Sequence, residues 1–215
     1  MPGKNPDWSV LVFAKAPVPG AAKTRLIPLL GAAGAAMLHR RLITRALATA
    51  RAAAADELTL WCAPDAGHPF LRSTAQQYGA DLQVQHGADL GARMAHAFAT
   101  TLQRAKRAIC IGADCPALTA HHLQQAAAAL RDGDDAVFVP AEDGGYALVG
   151  LSRAAPALFA GIPWGTSTVM AETRARLRDS GLRWHELETL WDIDRPQDYH
   201  RLQQSGLLDD APSPV

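Results

Sequence analysis

The sequence predicts a single α/β domain built on a mainly parallel sheet, and three observations carry that prediction. Short apolar runs alternate with longer, Ala-rich stretches of helical period along almost the whole chain. Two of those runs, Val10–Ala14 and Ala108–Gly112, are apolar on both faces, as expected of central strands covered by helices on each side. A chain of 215 residues with 48% apolar content can fill one sizeable core, whereas two domains would be cramped.

Taken in order, Val10–Ala14 reads as the first strand and a helix follows near 32–54. Leu58–Cys62 and Leu82–Val84 read as strands on either side of a helix at 68–78. In the next stretch, 90–106, Leu90, Met94, Ala97, Phe98 and Leu102 recur at helical spacing. Strand Ala108–Gly112, a helix at 119–131 and strand Ala136–Val139 continue the alternation. After residue 140 the rhythm changes, with strand Tyr146–Leu151, helix Ser167–Ser180, strand Arg183–Leu190 and a closing helix Arg195–Gln204. One domain over 1–208 is expected, with 209–215, which holds two prolines, as a frayed tail.

Lys+Arg and Asp+Glu both total 21, so the net charge is zero. Broad basic surfaces that grip nucleic acid bring a large positive excess, so no nucleic-acid partner is expected. No apolar run approaches the roughly 20 residues that cross a bilayer, so no membrane insertion is expected. The polar start, followed by a short apolar stretch ending at Lys15, is too brief for a signal-peptide core. Cys62, Cys110 and Cys115 lack metal spacing and suit free thiols in a reducing cytoplasm. Charge is nevertheless segregated. Trp8–Ala55 holds seven cations and no acid, Asp132–Ser152 holds five acids and no cation, and Glu186, Glu188, Asp192, Asp194 and Asp198 form a third group. Arg40 to Arg51 fit a solvated helix face.

The loop after the first strand is different. Ligands of open parallel sheets bind beyond the carboxyl ends of strands, and this loop places Lys15, Lys23 and Arg25 around Gly20. Several cations with close backbone approach suit a polyphosphate. Pro17 and Ala22 stand where a Walker A loop needs Gly, so the loop is not of that type. Asp114, at the end of a central strand, is placed to hold a divalent cation, or alternatively to form a turn or cap before Pro116. Cys115 has no base nearby in sequence and reads as packing. Gly144 and Gly145 allow close approach of ligand or backbone and Tyr146 could stack on a substrate, although Asp143-Gly144 is also a turn signal. Thr166 and its hydroxyl neighbours stand where a helix cap would be. Asp192 and Asp194 give two carboxylates after a strand, of which Asp194 could cap the helix near Pro196 and leave Asp192 freer for metal.

The order of these strings resembles a known family. Phe13-Ala-Lys-Ala-Pro-x-Pro-Gly-x-x-Lys-Thr-Arg-Leu26, Leu90-Gly-x-Arg-Met94, Gly112-x-Asp-Cys-Pro116, Asp143-Gly-Gly-Tyr-x-Leu-x-Gly-Leu151, Trp164-x-Thr-x-x-Val169 and Asp192-Ile-Asp194 are similar to the bacterial DUF2064 family, within the nucleotide-diphospho-sugar transferases. The resemblance spans residue 8 to about 200. It implies a Rossmann-like, three-layer glycosyltransferase-A-type fold, with a nucleotide in the first half and an acceptor in the second. It also implies, more distantly, kinship with guanylyltransferases of molybdenum-cofactor and phospholactate-type pathways. By that resemblance Lys23 and Arg25 fall on phosphate-binding positions, joined by Lys15 and Gly20, and Asp114 falls on the metal aspartate. Lys23 and Asp114 are then the catalytic pair. Ala14, Pro17, Gln85, Leu90 and Gly91 fall on the nucleotide segment, and Gly144, Gly145, Tyr146, Trp164 and Thr166 on the sugar or acceptor side. Gly165 replaces an expected Ser, and residues 112–116 hold one Asp rather than Asp-x-Asp. The expected activity is glycosyl transfer from a nucleotide sugar to a small-molecule acceptor, with Mg²⁺ or Mn²⁺ on Asp114 and Asp192 or Asp194. One alternative is a nucleotidyltransferase joining a nucleoside triphosphate to a phosphorylated acceptor. Another, of a different class, is a non-catalytic nucleotide-binding domain.

Overall fold

A computed structural model describes residues 5–208, so the proposed tail at 209–215 lies outside the described residues. Seven strands, β1 (Ser9–Lys15), β2 (Glu57–Ala63), β3 (Asp81–Val84), β4 (Ala108–Gly112), β5 (Ala136–Pro140), β6 (Tyr146–Leu151) and β7 (Trp184–Glu186), form one sheet in the order β3-β2-β1-β4-β6-β5-β7. The helices are α1 (Ile27–Ala52), α2 (Pro69–Tyr78), α3 (Leu90–Thr101), α4 (Ala120–Arg131), α5 (Val169–Asp179) and α6 (Pro196–Ser205). β6 runs antiparallel to β4 and β5, and the other strand pairs are parallel. This is the single α/β domain that the alternation predicts.

The apolar character of both strand faces has a simple cause. Val10 and Val12 point into a core with Ile43 and Leu47 of α1 and Leu123 of α4. Leu11 and Phe13, one residue out of phase, point into the opposite core with Met94 and Phe98 of α3 and Leu177 of α5. A third cluster packs Leu26, Leu38 and Leu42 against Ile193 and Leu202, tying α6 to α1. Ile193 is fully buried, and burial of such a side chain contributes about 1.5–3 kcal/mol, which fixes the loop between α6 and the sheet.

Gly31, with φ 69°, breaks α1, so its regular part begins where the sequence pattern begins. By length and composition the stretch Thr24–Ala52 is long and apolar enough to cross a membrane. Its Ile43, Leu47 and Ala50 are buried against the sheet. The last strand is shorter than the expected Arg183–Leu190. Pro140 of β5 has no amide to continue the ladder, and the chain rejoins it only at Leu190, whose amide donates to the Pro140 carbonyl at 2.9 Å. The predicted helix at 90–106 ends at Thr101 in a turn, where Ala105 N donates to Thr101 O at 2.9 Å before the chain enters β4.

The sheet order reverses at β1, whose neighbours β2 and β4 lie on opposite sides. That is the switch point at which open sheets leave a crevice beyond their carboxyl ends. Because β6 is reversed, its first residues rather than its last reach the same edge.

Candidate active site

The loop after β1 gives its three cations different tasks. Lys15 Nζ donates to the Ala21 carbonyl at 3.0 Å and so braces the loop itself. The buried His39 ring supports it from beneath, with Nε2 3.0 Å from the Lys15 carbonyl, and burial holds the His39 pKa below its usual value. Gly20 turns the chain at φ 83°. Lys23 takes a left-handed backbone, φ 49° and ψ 46°, which costs a non-glycine residue about 1–2 kcal/mol. Its side chain is only 6% exposed and is folded in towards Asp114. There Nζ lies 2.9 Å from Asp114 Oδ1 and also donates to the Ile193 carbonyl. Arg25, more exposed, pairs with Asp194.

Asp114 follows β4, and its carbonyl accepts from the Ile193 amide at 2.9 Å, which brings Asp192 and Asp194 beside it. Burial opposes ionisation of Asp114, but the Lys23 ammonium and His39 prevail and hold its pKa below the ordinary range. Asp192 behaves oppositely. Burial first, then the charges of Asp143 and Asp114, raise it to about 6 against the partial relief of Lys23. Asp143 is the site residue that the sequence reading left out of the site. Its Oδ1 accepts from the Gly145 amide at 2.8 Å, so the Asp-Gly turn exists, yet its carboxylate also faces the cleft. Helix α6 is capped by Asp198, not Asp194, because Asp198 Oδ2 accepts from the Asp194 and Arg195 amides at 3.0 and 2.7 Å. Burial pushes the Cys115 thiol to about 12, consistent with packing.

The two acidic loops are fastened together. Glu142 N donates to Leu190 O at 2.9 Å, and Arg201 of α6 bonds both Glu142 oxygens, at 2.7 and 3.2 Å, while lying 4.4 Å from the centre of the Trp191 ring. Because this ion pair is about half exposed, Arg201→Met should cost only about 1 kcal/mol, read as a fall of roughly 2–4 °C in Tm. No shift in Tm would show that the bracket contributes nothing.

The crevice holds two adjoining chambers. The inner one, about 360 Å³, is lined by Phe13, Leu90, Met94, Val149, Tyr146 and Trp164. The outer one, about 380 Å³, is lined by Glu142, Ser167, Trp191, Gln197 and Asp198 among others. Arg25, Asp143, Thr166, Asp192 and Asp194 border both. Asp114 and Gly145 border the inner chamber. Several sequence candidates are engaged with the protein's own groups. Gln85 Nε2 donates to the Trp61 carbonyl at 2.9 Å and reaches Ala14 O, joining β1 to β2. Pro17 is buried at the base of the loop. A Cβ on Gly91 would lie 2.7 Å from Trp164 Nε1 and would meet the Phe159 carbonyl. Gly144, at φ 91°, gives its space to the Ser167 backbone, whose Cα a Cβ would approach to 2.7 Å. These two glycines let loops of the protein approach one another. Thr166 Oγ1 donates to the Pro163 carbonyl at 2.7 Å, and no side chain caps α5.

The profile of DUF2064, described as uncharacterized proteins conserved in bacteria, matches residues 46–166. The chain belongs to the DUF2064 family. This DUF2064 protein is also similar, at 31% identity and a TM-score of 0.84, to a crystal structure from Desulfovibrio desulfuricans G20 provisionally named a nucleotide-diphospho-sugar transferase. The match covers 93% of this chain and 87% of that one. At 12% identity and a TM-score of 0.58 it shares its fold with CMP:2-keto-3-deoxy-manno-octonic acid synthetase complexed with CTP, over 94% of this chain and 99% of that one. At 20% identity and a TM-score of 0.58 it shares the fold of Rv0371C from Mycobacterium tuberculosis H37Rv, solved with manganese, over 93% and 99% of the two chains. No functionally curated protein matches.

Proposed function

We propose that this DUF2064 protein is a transferase using a nucleotide-activated donor, and that it passes a glycosyl group from a nucleotide-diphospho-sugar to a small acceptor. The observation that carries the reading is the meeting of Lys23 and Asp114 at the switch point, with Arg25, Asp143 and Asp192 around them. Lys23 and Arg25 would hold the donor phosphates, with Lys15 and Gly20 shaping the loop. The three carboxylates Asp114, Asp143 and Asp192 supply the hard oxygen donors that Mg²⁺ or Mn²⁺ prefers, and a divalent cation would offset the burial and the repulsion that raise Asp192. Among the described residues no three such groups yet stand at metal-holding distances, and Lys23 compensates Asp114 instead. A bound ion would neutralise charge on the departing diphosphate. Asp194, engaged by Arg25, is the weaker ligand candidate.

In glycosyl transfer the acceptor oxygen would bond to the anomeric carbon as the bond to the β-phosphate oxygen breaks, the acceptor proton passing to a cleft carboxylate or to solvent. Lys23 and Arg25, with Lys15 beside them, could also serve a triphosphate if Lys15 left the Ala21 carbonyl, which keeps nucleotidyl transfer as a second reading. We assign the protein to the cytoplasm because Cys62, Cys110 and Cys115 are free thiols. The experiment is a thermal-shift screen of nucleotides and nucleotide sugars with and without Mg²⁺ or Mn²⁺, followed by parallel assays of nucleoside diphosphate and pyrophosphate. A ligand at about 100 times its Kd adds about 2.7 kcal/mol of stability. Nucleoside diphosphate released from a nucleotide sugar is expected. Pyrophosphate from a plain triphosphate, with no diphosphate from any nucleotide sugar, would replace this reading with the second.

A further inference from the structure

Lys15 is held at both ends. β1 pairs with β4 only as far as Phe13 opposite Gly112, so the Lys15 carbonyl lies past the last rung of that ladder. His39 of α1 takes the place of a strand partner, with Nε2 3.0 Å from that oxygen. A carbonyl can only accept, so Nε2 carries a hydrogen in either protonation state of the ring. The other ring nitrogen, Nδ1, is 3.8 Å from Asp114 Oδ1 and has no hydrogen-bond partner among the described residues. The hydrogen bonding of this buried ring therefore runs through Lys15. At its far end Lys15 Nζ donates to the Ala21 carbonyl across the loop. Between those two bonds the loop closes on itself. Val18 N donates to Ala16 O at 2.8 Å, and Ala21 N and Ala22 N both donate to Val18 O, at 3.0 and 3.1 Å. Ala22 leads directly into Lys23 and its left-handed backbone. The helix that carries His39 is itself seated in one core with β1, through Ile43 and Leu47 with Val10 and Val12. A continuous line of support thus runs from the core, through His39 and Lys15, to the residues just before Lys23.

We propose that His39 is a positioning residue: by fixing the Lys15 carbonyl it holds the loop in the shape from which Lys23 reaches Asp114, and so it sets the affinity for donor phosphates. The clause on affinity rests on the transferase reading, whereas the loop shape does not. Two amide variants separate the edges of the ring, because Gln places its nitrogen near the Nε2 position and Asn only near Nδ1. His39→Asn loses the bond to Lys15. It is expected to speed amide hydrogen exchange at Val18, Ala21 and Ala22 by about 3- to 10-fold, the worth of one hydrogen bond. It should weaken binding of inorganic pyrophosphate, a probe that needs no choice of base, by a similar factor. His39→Gln keeps the bond and should stay within about twofold of the unaltered protein in both measurements. Leu47→Val, two turns further along α1, removes core volume away from the loop, so it should lower Tm and leave both measurements unchanged. The proposal is overturned if Asn and Gln behave alike, if Asn leaves the loop exchange unchanged, or if Leu47→Val loosens the loop as much as Asn does. Should His39→Asn fail to fold, the unaltered protein decides. Long-range ¹H–¹⁵N spectra must show a hydrogen on His39 Nε2, and a bare Nε2 overturns the proposal. If pyrophosphate and every nucleotide fail to bind the unaltered protein, the transferase reading falls, while hydrogen exchange and the ring hydrogen still judge the positioning.

Discussion

Lys23→Ala is expected to weaken nucleotide binding by about 1.5–3 kcal/mol, roughly 10- to 150-fold, and to leave the fold intact. Lys23 is the buried cation of the loop, and its Nζ already lies where charge must be compensated beside Asp114. Removing it takes away a charged hydrogen-bond donor; the Asp114 side chain as a whole is 51% exposed, although the Oδ1 that faces Lys23 is itself buried. Lys23→Gly offers an internal control. It should bind nucleotide as poorly as Lys23→Ala but be more stable by about 1 kcal/mol, since glycine occupies the left-handed backbone without strain. Isothermal titration with the best-binding nucleotide and a denaturation midpoint for each variant measure both effects. Unchanged affinity in either variant would remove the loop from the site.

Asp192→Asn should have an effect of opposite kind. With its folded pKa near 6, Asp192 holds a proton between about pH 4 and 6 that the unfolded chain has already released. Stability contributed by this group is therefore full below about pH 4, falls as pH rises towards 6, and stays lost above it. Two pKa units correspond to about 3 kcal/mol at most, so Asn should stabilise the protein by about 1–3 kcal/mol at pH 7.5 and by almost nothing at pH 4. Added Mn²⁺ should raise the Tm of the unaltered protein at pH 7.5 but not that of Asp192→Asn. A variant that is less stable than the parent at pH 7.5 would show that Asp192 is not under electrostatic strain.

Much of this was legible in advance. Val10–Ala14 and Ala108–Gly112 announce central strands because both faces must be apolar, and the two cores fill those faces as expected. The end of the sheet was harder, because the ladder failed at Pro140, a property of the neighbouring strand rather than of residues 183–190. In the site, residue type revealed the cations and carboxylates but not their pairing. Nothing local in Pro-Gly-Ala-Ala-Lys says that Lys23 adopts a left-handed backbone and turns to Asp114. Gly144 read as a place where ligand or backbone could come close, and it is the Ser167 backbone that does, while Gly91, placed on the nucleotide segment by the resemblance, gives its space to Trp164. Asp143 was hidden behind a turn motif whose first residue serves both the turn and the cleft.

The pairing of Lys23 with Asp114 and of Arg25 with Asp194 also sets an internal salt across the crevice. Two pairs of opposite charges are held against one another, while among the described residues Asp143 and Asp192 are left facing each other without such a partner. Loading such a site is an exchange of partners. A phosphate that draws Lys23 away strands Asp114, and a cation that draws Asp114 away strands Lys23, so either guest alone meets resistance that the two together do not. If metal and nucleotide both bind here as proposed, each should raise the affinity of the other by the same factor, which titrations of one at fixed levels of the other would read directly.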